Sequence, residues 1–271
     1  VGAVNVEIVS IGSELCYGKV ADTNAFWLAD QVTRLGGTVE RITCVRDHED
    51  QICTVLEESL GRKPSFVLVT GGLGPTNDDK TIDAISRITQ SVIVKDEKTL
   101  ERASQRKGIL KEKLPPHFIK MARTLHGGRT FSNPVGISPA TALTIGKTTL
   151  VVMPGPPKEV QAIFAESILH LMKKKANRRS RSQRVFVEMA ESEVTPFIER
   201  IERELGNVYL KPLVSEYVTG TGLPIEILAF EENEEGCEQL IGEIISRLES
   251  SVTSKGRRLS LLAADIRKTT E

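Results

Sequence analysis

Two adjacent carboxylates, Asp78 and Asp79, follow closely on three glycines in Val67-Leu-Val-Thr-Gly-Gly-Leu-Gly-Pro-Thr-Asn-Asp-Asp-Lys-Thr81. A turn of Gly71, Gly72, Leu73 and Gly74 carries little side-chain bulk, so its backbone N–H groups can approach an anion. The apolar run before it reads as a buried parallel strand. Thr76, Asn77, Asp78 and Asp79 are residue types that cap helices, and Ile82, Ala84 and Ile85 begin an apolar helical face. Strand, glycine turn and helix start together form a place where phosphates bind in α/β sheets. Two carboxylates there would repel a bare phosphate, which points to a metal ion between acid and phosphate. The simpler alternative is that Asp78 and Asp79 only cap the helix. The spacing matches neither a P-loop nor a dinucleotide fingerprint.

Other candidates sit at comparable places. Gly12, Ser13 and Glu14 follow a first strand, Val4 to Ile11, at the edge where such sheets bind ligands. Asp22-Thr-Asn24 supplies caps for a helix with Phe26, Leu28, Ala29, Val32 and Leu35 on its apolar positions. Asp47 follows a second strand, Thr38 to Val45, and reads as the N-cap of a helix from His48 to Leu60. Pro154-Gly155-Pro156-Pro157 is a further tight turn between a strand and a helix, with Glu159 in the first helical turn.

The elements that position these residues alternate as β-α-β-α-β-α, which predicts right-handed crossovers and a mostly parallel sheet. Asp96 to Leu125 has a helical, charge-rich pattern broken by Pro115-Pro116. Asn133 to Pro139 is turn-rich, and strands at Ala142–Ile145 and Thr149–Met153 join through a Gly146-Lys147 turn. The basic, polar run Lys173 to Arg184 predicts a solvated helix end and a linker, and so a domain boundary. Beyond it the order β-α-β-β-α, with strands at 185–189, 208–214 and 224–230, predicts a small α+β domain. Thr219-Gly-Thr-Gly222 falls in its strand–strand loop. The domains expected are thus 1–176 and 184–254, followed by a polar tail at 255–271.

The 271 residues hold 36 Lys+Arg and 36 Asp+Glu, with 39% hydrophobic residues. A packed core is feasible, and zero formal net charge argues against nucleic acid as the main partner. No apolar run is long enough to cross a bilayer and no signal peptide is visible, so a cytoplasmic protein without membrane partners is expected. Cys16, Cys44, Cys53 and Cys237 show no zinc-ligand spacing. They read as ordinary thiols, with Cys44 and Cys53 in core packing.

With these stretches placed, the chain resembles the N-terminal part of the competence-damage inducible CinA-type proteins, of the molybdopterin-binding superfamily. Ile11-Gly-Ser-Glu-Leu15, Gly18, Asp22-Thr-Asn24, Gly71-Gly-Leu-Gly-Pro-Thr76 with Asp78-Asp79, Asn133-Pro-Val-Gly136 and Met153-Pro-Gly-Pro-Pro157 fit in family order. Residues 185 to 252 look like the family's small KH-like domain. The resemblance implies a three-layer, mostly parallel α/β sheet of molybdopterin-binding type with that second domain. It implies hydrolysis of ADP-ribose to AMP and ribose 5-phosphate with a divalent metal, magnesium or cobalt, and potassium as a further candidate ion. Asp79, Asp78 and Asp47 would be catalytic, and Asp79 and Glu14 would hold the metal. Gly12, Ser13, Asn24, Gly71, Gly72, Leu73, Gly74, Thr76, Pro154, Gly155 and Pro156 would bind phosphate or nucleotide. The alternative is binding of molybdopterin, or adenylate transfer to it, in molybdenum cofactor biosynthesis. A non-enzymatic scaffold keeping the fold is a third reading. A homodimer is expected from the same resemblance. Ser138-Pro139-Ala140 departs from the family's usual Ala-Pro-Gly. No Ser-Cys-Thr-Gly-Gly stretch of the separate amidohydrolase domain is present, so deamidation of nicotinamide mononucleotide is not carried over.

Overall fold

A computed structural model describes residues 4–217 and 221–261. The chain divides into two compact units, Val1–Thr33 with Gly37–Ala176, and Arg34–Gly36 with Asn177–Glu271.

The first unit follows the predicted alternation. Its elements are β1 (Asn5–Ile11), α1 (Ser13–Cys16), α2 (Thr23–Arg34), β2 (Thr38–Val45), α3 (Glu49–Gly61), β3 (Phe66–Thr70), α4 (Thr81–Thr89), β4 (Ile93–Lys95), α5 (Glu97–Lys107), α6 (Pro116–Met121), β5 (Arg123–Leu125), β6 (Arg129–Phe131), β7 (Ala140–Ile145), β8 (Thr148–Met153), α7 (Pro157–Ile163) and α8 (Leu169–Lys173). A π-turn at Phe164–Ile168 joins the last two. The main sheet has the order β2-β1-β3-β8-β7-β6. Its first four strands are parallel, and β7 and β6 are added antiparallel. Every residue of β3 is buried, as a central parallel strand requires. Val67 and Val69 pack with Ile52, Leu56, Ile82 and Ile85 of α3 and α4. The alternate residues Phe66 and Leu68 point to the other face, where Trp27 of α2 meets Phe164 edge-on at 5.3 Å. The arrangement is three-layered.

The helical reading of Asp96 to Leu125 is corrected at its end. Arg123–Leu125 is a short strand that pairs antiparallel with Ile93–Lys95. Three residues are too few to show a period.

The second unit contains β9 (Arg179–Val187), α9 (Glu191–Leu205), β10 (Val208–Pro212), β11 (Leu223–Glu231), α10 (Glu234–Thr253) and β12 (Leu259–Leu261), with strand order β10-β11-β9-β12. The expected β-α-β-β-α order is present, with three corrections. The basic run is no linker from Arg179 onward, because Arg179–Arg184 pair with β11 from Glu226 to Glu231. The unit therefore starts at 177 rather than 184. The polar tail also begins later than expected, because Leu259–Leu261 pair with Val185–Val187. Thr219 and Gly220 lie outside the described residues, as does everything after Leu261. Among the described residues no helix is long and apolar enough to cross a membrane.

Candidate functional site

Parallel strands in register end together. Ser10 of β1 is level with Thr70 of β3, and Thr70 with Met153 of β8. The turns that follow, at Gly12, Gly71 and Pro154, therefore open onto one edge of the sheet. They surround a cleft of about 500 Å³, a size ordinary for small-molecule sites. Gly12, Asn24, Gly71, Gly72, Leu73, Gly74, Asp78, Asp79, Asp47, Glu14, Pro154, Gly155 and Pro156 all line it. Ser13 and Thr76 stand just behind the wall, holding its carboxylates.

The glycine turn is shaped by its own packing. Gly71 has φ +98°, and a Cβ there would lie 2.0 Å from the Ile11 carbonyl oxygen. At Gly72, φ is +65° and a Cβ would meet the Thr81 hydroxyl at 2.0 Å. Buried Thr81 donates from Oγ1 to the Gly71 carbonyl at 2.9 Å, and Ser138 donates to the Leu73 carbonyl at 2.7 Å. Among the described residues no protein acceptor takes the amides of Gly72 and Leu73.

The carboxylate of Asp79 folds back onto this turn. Its Oδ1 accepts from the Gly74 amide at 2.7 Å, and its Oδ2 from the Thr76 amide at 2.8 Å and the Thr76 hydroxyl at 2.6 Å. Helix α4 starts at Thr81 with Lys80 at the N-cap, and no side chain caps it. The capping alternative for Asp78 and Asp79 is therefore wrong. Asp78 stays exposed, and the Thr76 hydroxyl, its own backbone amide and nearby Lys120 hold its carboxyl below the usual range. The one proton of that hydroxyl serves one acid at a time: while it sits on Asp79, at 2.6 Å, the lowering of Asp78 rests on its backbone amide and Lys120. Lys120 donates to the Thr76 carbonyl.

Asp47 also fails to cap. The N-cap of α3 is His48, without a side-chain bond. Instead Asp47 Oδ2 accepts from the Ser13 amide at 2.6 Å, while its own amide donates to Ser13 Oγ at 3.3 Å. The Ser13 amide is thereby committed within the chain. Glu14, exposed on α1, has no side-chain hydrogen-bond partner among the described residues and folds over Gly12, where a Cβ would meet its Oε1 at 2.7 Å. Asp22 does cap α2, accepting from the Ala25 amide at 2.9 Å. Asn24 does not. Its Nδ2 donates across the cleft to the Gly155 carbonyl at 2.7 Å, joining two walls.

Sequence reasoning missed the brace behind Glu159. Buried Asn133 donates to Glu159 Oε2 at 2.6 Å and accepts from the amides of Val135 and Gly136. Arg102 and Arg106 of α5 hold the carbonyls of Asn133 to Gly136. Glu159, read as a residue suited to the helix dipole, thus lines the cleft and braces the Asn133 loop. The motif Asn-Pro-Val-Gly was the only signal for it.

Glu14, Asp22, Asp47, Asp78, Asp79 and Glu159 all line the cleft, and among the described residues no Lys, Arg or His does. A phosphate entering alone would meet repulsion. Yet among the described residues no three His, Cys, Asp or Glu are gathered to hold a metal ion. Three of the roughly four acceptor positions of Asp79 already have donors in its own turn. The side chains therefore do not fit a protein-only metal cage. They fit a cation that arrives on phosphate oxygens and meets one or two carboxylates, the usual habit of magnesium.

This edge-of-sheet cleft, with glycine-turn amides below and carboxylates around, belongs to a mostly parallel α/β protein. Residues 7–174 match the family described as "Probable molybdopterin binding domain", and the chain belongs to that family, as a CinA-like member. A protein of Metallosphaera sedula is 31% identical over 255 residues, covering 93% of this chain and 96% of its own. One of Pyrobaculum aerophilum is 34% identical over 258 residues, covering 94% and 97%. Among solved structures, the protein CinA with unknown function from Thermoplasma acidophilum is 30% identical. It has a TM-score of 0.56 over 64% of this chain and 98% of that one.

Proposed function

We propose that the cleft binds a nucleotide diphosphate together with a divalent cation and hydrolyses its pyrophosphate bond, turning ADP-ribose and water into AMP and ribose 5-phosphate. One observation carries this reading: two amides without protein acceptors, Gly72 and Leu73, lie in a cleft walled by six carboxylates and no cationic side chain. Such a site favours phosphate only when a cation comes with it. Asp79 holds the turn so that those amides stay aimed at phosphate oxygens. Glu14 and Asp78 are the carboxylates left most open to a phosphate-borne cation. A magnesium or cobalt ion held by Glu14 and Asp78 would supply polarisation of the phosphoryl group and a more acidic water. Asp47, whose Oδ1 makes no hydrogen bond among the described residues, is placed to take the proton of an attacking water. Asn24 and Gly155 border the opposite wall, where the nucleoside part would lie. A homodimer belongs to the same reading, supported by Phe26 on α2 at 79% exposure; light scattering that finds only monomers would remove it.

The family description favours a second reading, in which a molybdopterin phosphate or its adenylate occupies the cleft. The deciding experiment incubates the protein with ADP-ribose and magnesium or cobalt and separates the products. Equal amounts of AMP and ribose 5-phosphate, abolished by a chelator, are expected. Absence of both products with every divalent metal sinks the hydrolase reading, and a copurifying pterin would then establish the second.

A further inference from the structure

Cys16 ends α1 and Cys44 is the penultimate residue of β2, an edge strand of the sheet. They are 28 residues apart in sequence, yet their sulfurs are 3.5 Å apart. Both side chains are exposed, which corrects the reading of Cys44 as a core residue. Their neighbourhood is fixed from both sides. The Gly12 amide donates to the Val45 carbonyl at 3.0 Å, and the Ser13 amide to Asp47 at 2.6 Å. The short helix is thus fastened to the end of β2 immediately beside Cys44, and Glu14 and Leu15 of the same turn line the cleft.

We infer that Cys16 and Cys44 form a reversible intramolecular disulfide at the rim of the cleft, by exchange with a low-molecular-weight disulfide such as oxidised glutathione. Closing the bond requires the sulfurs to approach from 3.5 Å to about 2.05 Å. With the backbone fastened on both sides, that approach falls to rotation of the two exposed side chains.

The order of steps follows from the surroundings. Partial burial of its sulfur, the hydrogen bond and charge of Cys16, and the carboxylates of Asp22 and Glu14 push the Cys44 thiol up to about 12. The raised Cys44 thiol is the slower of the two to react, so Cys16 attacks first, as its thiolate. It bonds to one sulfur of the glutathione disulfide, and the other leaves as glutathione thiolate. Cys16 in the mixed disulfide no longer carries the charge that restrained Cys44. Cys44 then gives its proton to solvent and attacks the Cys16 sulfur, expelling the second glutathione thiolate. One protein dithiol and one glutathione disulfide become one protein disulfide and two glutathiones. Cys53 and Cys237 are buried, with their sulfurs against backbone carbonyls, and serve as internal controls.

The test equilibrates the full chain in graded mixtures of oxidised and reduced glutathione. Acid quenching, alkylation and peptide mapping then follow, with non-reducing electrophoresis alongside. The expected result is loss of two hydrogens in the intact mass, a cross-link between the peptides carrying Cys16 and Cys44, and full reversal by dithiothreitol. Cys44→Ser should stop at one glutathione on Cys16, and Cys16→Ser should form no disulfide. The idea is overturned if wild-type protein carries glutathione on either cysteine without a cross-link at any ratio, or if the cross-link joins two chains. The readout is chemical and independent of the substrate proposed for the cleft.

Discussion

Strand β1 runs between two acidic places that are built in opposite ways. Near its amino end, Glu7 is only 3% exposed, and Arg62 grips both its oxygens at 2.7 and 2.8 Å. Beyond its carboxyl end, six carboxylates ring the cleft and none is hydrogen-bonded to a cationic side chain there. Asp47 and Asp79 are held by amides and a hydroxyl, and Glu159 by the Asn133 amide group. Neutral donors fix where a carboxylate points without cancelling its charge. A guanidinium does both. At the amino end the pairing closes a buried charge that would otherwise cost several kcal/mol. At the carboxyl end the charge is left available for a cation from outside. The difference predicts that changes at the first place alter stability alone, and changes at the second alter activity more.

The largest effect should come from Asp79→Asn. An amide presents one acceptor oxygen and one NH2 group, whereas the turn offers Asp79 donors on both sides. One of the Gly74 or Thr76 amides would face a donor. Global stability should fall by about 1 kcal/mol, while turnover of the diphosphate should fall roughly a hundredfold, about 2.7 kcal/mol of barrier. Steady-state rates beside a urea titration separate the two quantities. Unchanged turnover would take Asp79 out of the mechanism and leave the cleft's carboxylates without a demonstrated task.

Next in size is Glu7→Gln. Gln keeps the shape but leaves Arg62 against a neutral amide. Losing one partner of a buried pair costs about 3–5 kcal/mol. Arg62 is 34% exposed and can turn to water, so about 2 kcal/mol is expected. Turnover should be that of the wild type. A Glu7→Gln protein with normal stability but impaired turnover would reverse the comparison.

How much of this was legible in the sequence follows from how local each signal is. The β-α alternation was readable because each strand and helix carries its own hydrophobic pattern over several residues. The glycine turn was readable because only glycine accepts the backbone of Gly71. What the carboxylates do was not readable. Asp47 looked like a cap because caps are chosen by the next few residues, but its partner Ser13 lies 34 positions earlier. Asn133 and Glu159 are 26 positions apart, and the two rim cysteines 28. The basic run hid a strand for a different reason. From Arg179 to Arg184 every residue is half-buried or exposed, so no alternation marks the pairing with β11.

The smallest effect is in the acid dependence of stability. Burial works to raise the Glu7 pKa, but the Arg62 contact, with Ser59 and Arg41 behind it, wins and sets it below the ordinary 4.5. A carboxylate lowered in the folded state binds its proton more readily in the unfolded one. Its stabilisation is complete above pH 4.5 and is lost as pH falls through the folded value. Asp78 is lowered too and contributes with the same sign, but it is exposed and its share is smaller. Below pH 4.5 and down to the folded value, the wild type should therefore lose stability at up to about 1.4 kcal/mol per pH unit for the Glu7 proton. Glu7→Gln has no such proton to bind and should show a shallower slope over the same window. Urea midpoints for both proteins at a series of acid pH values read this directly. Parallel slopes would mean that the acid sensitivity resides in the unpaired carboxylates of the cleft, and that Arg62 does not set the titration of Glu7.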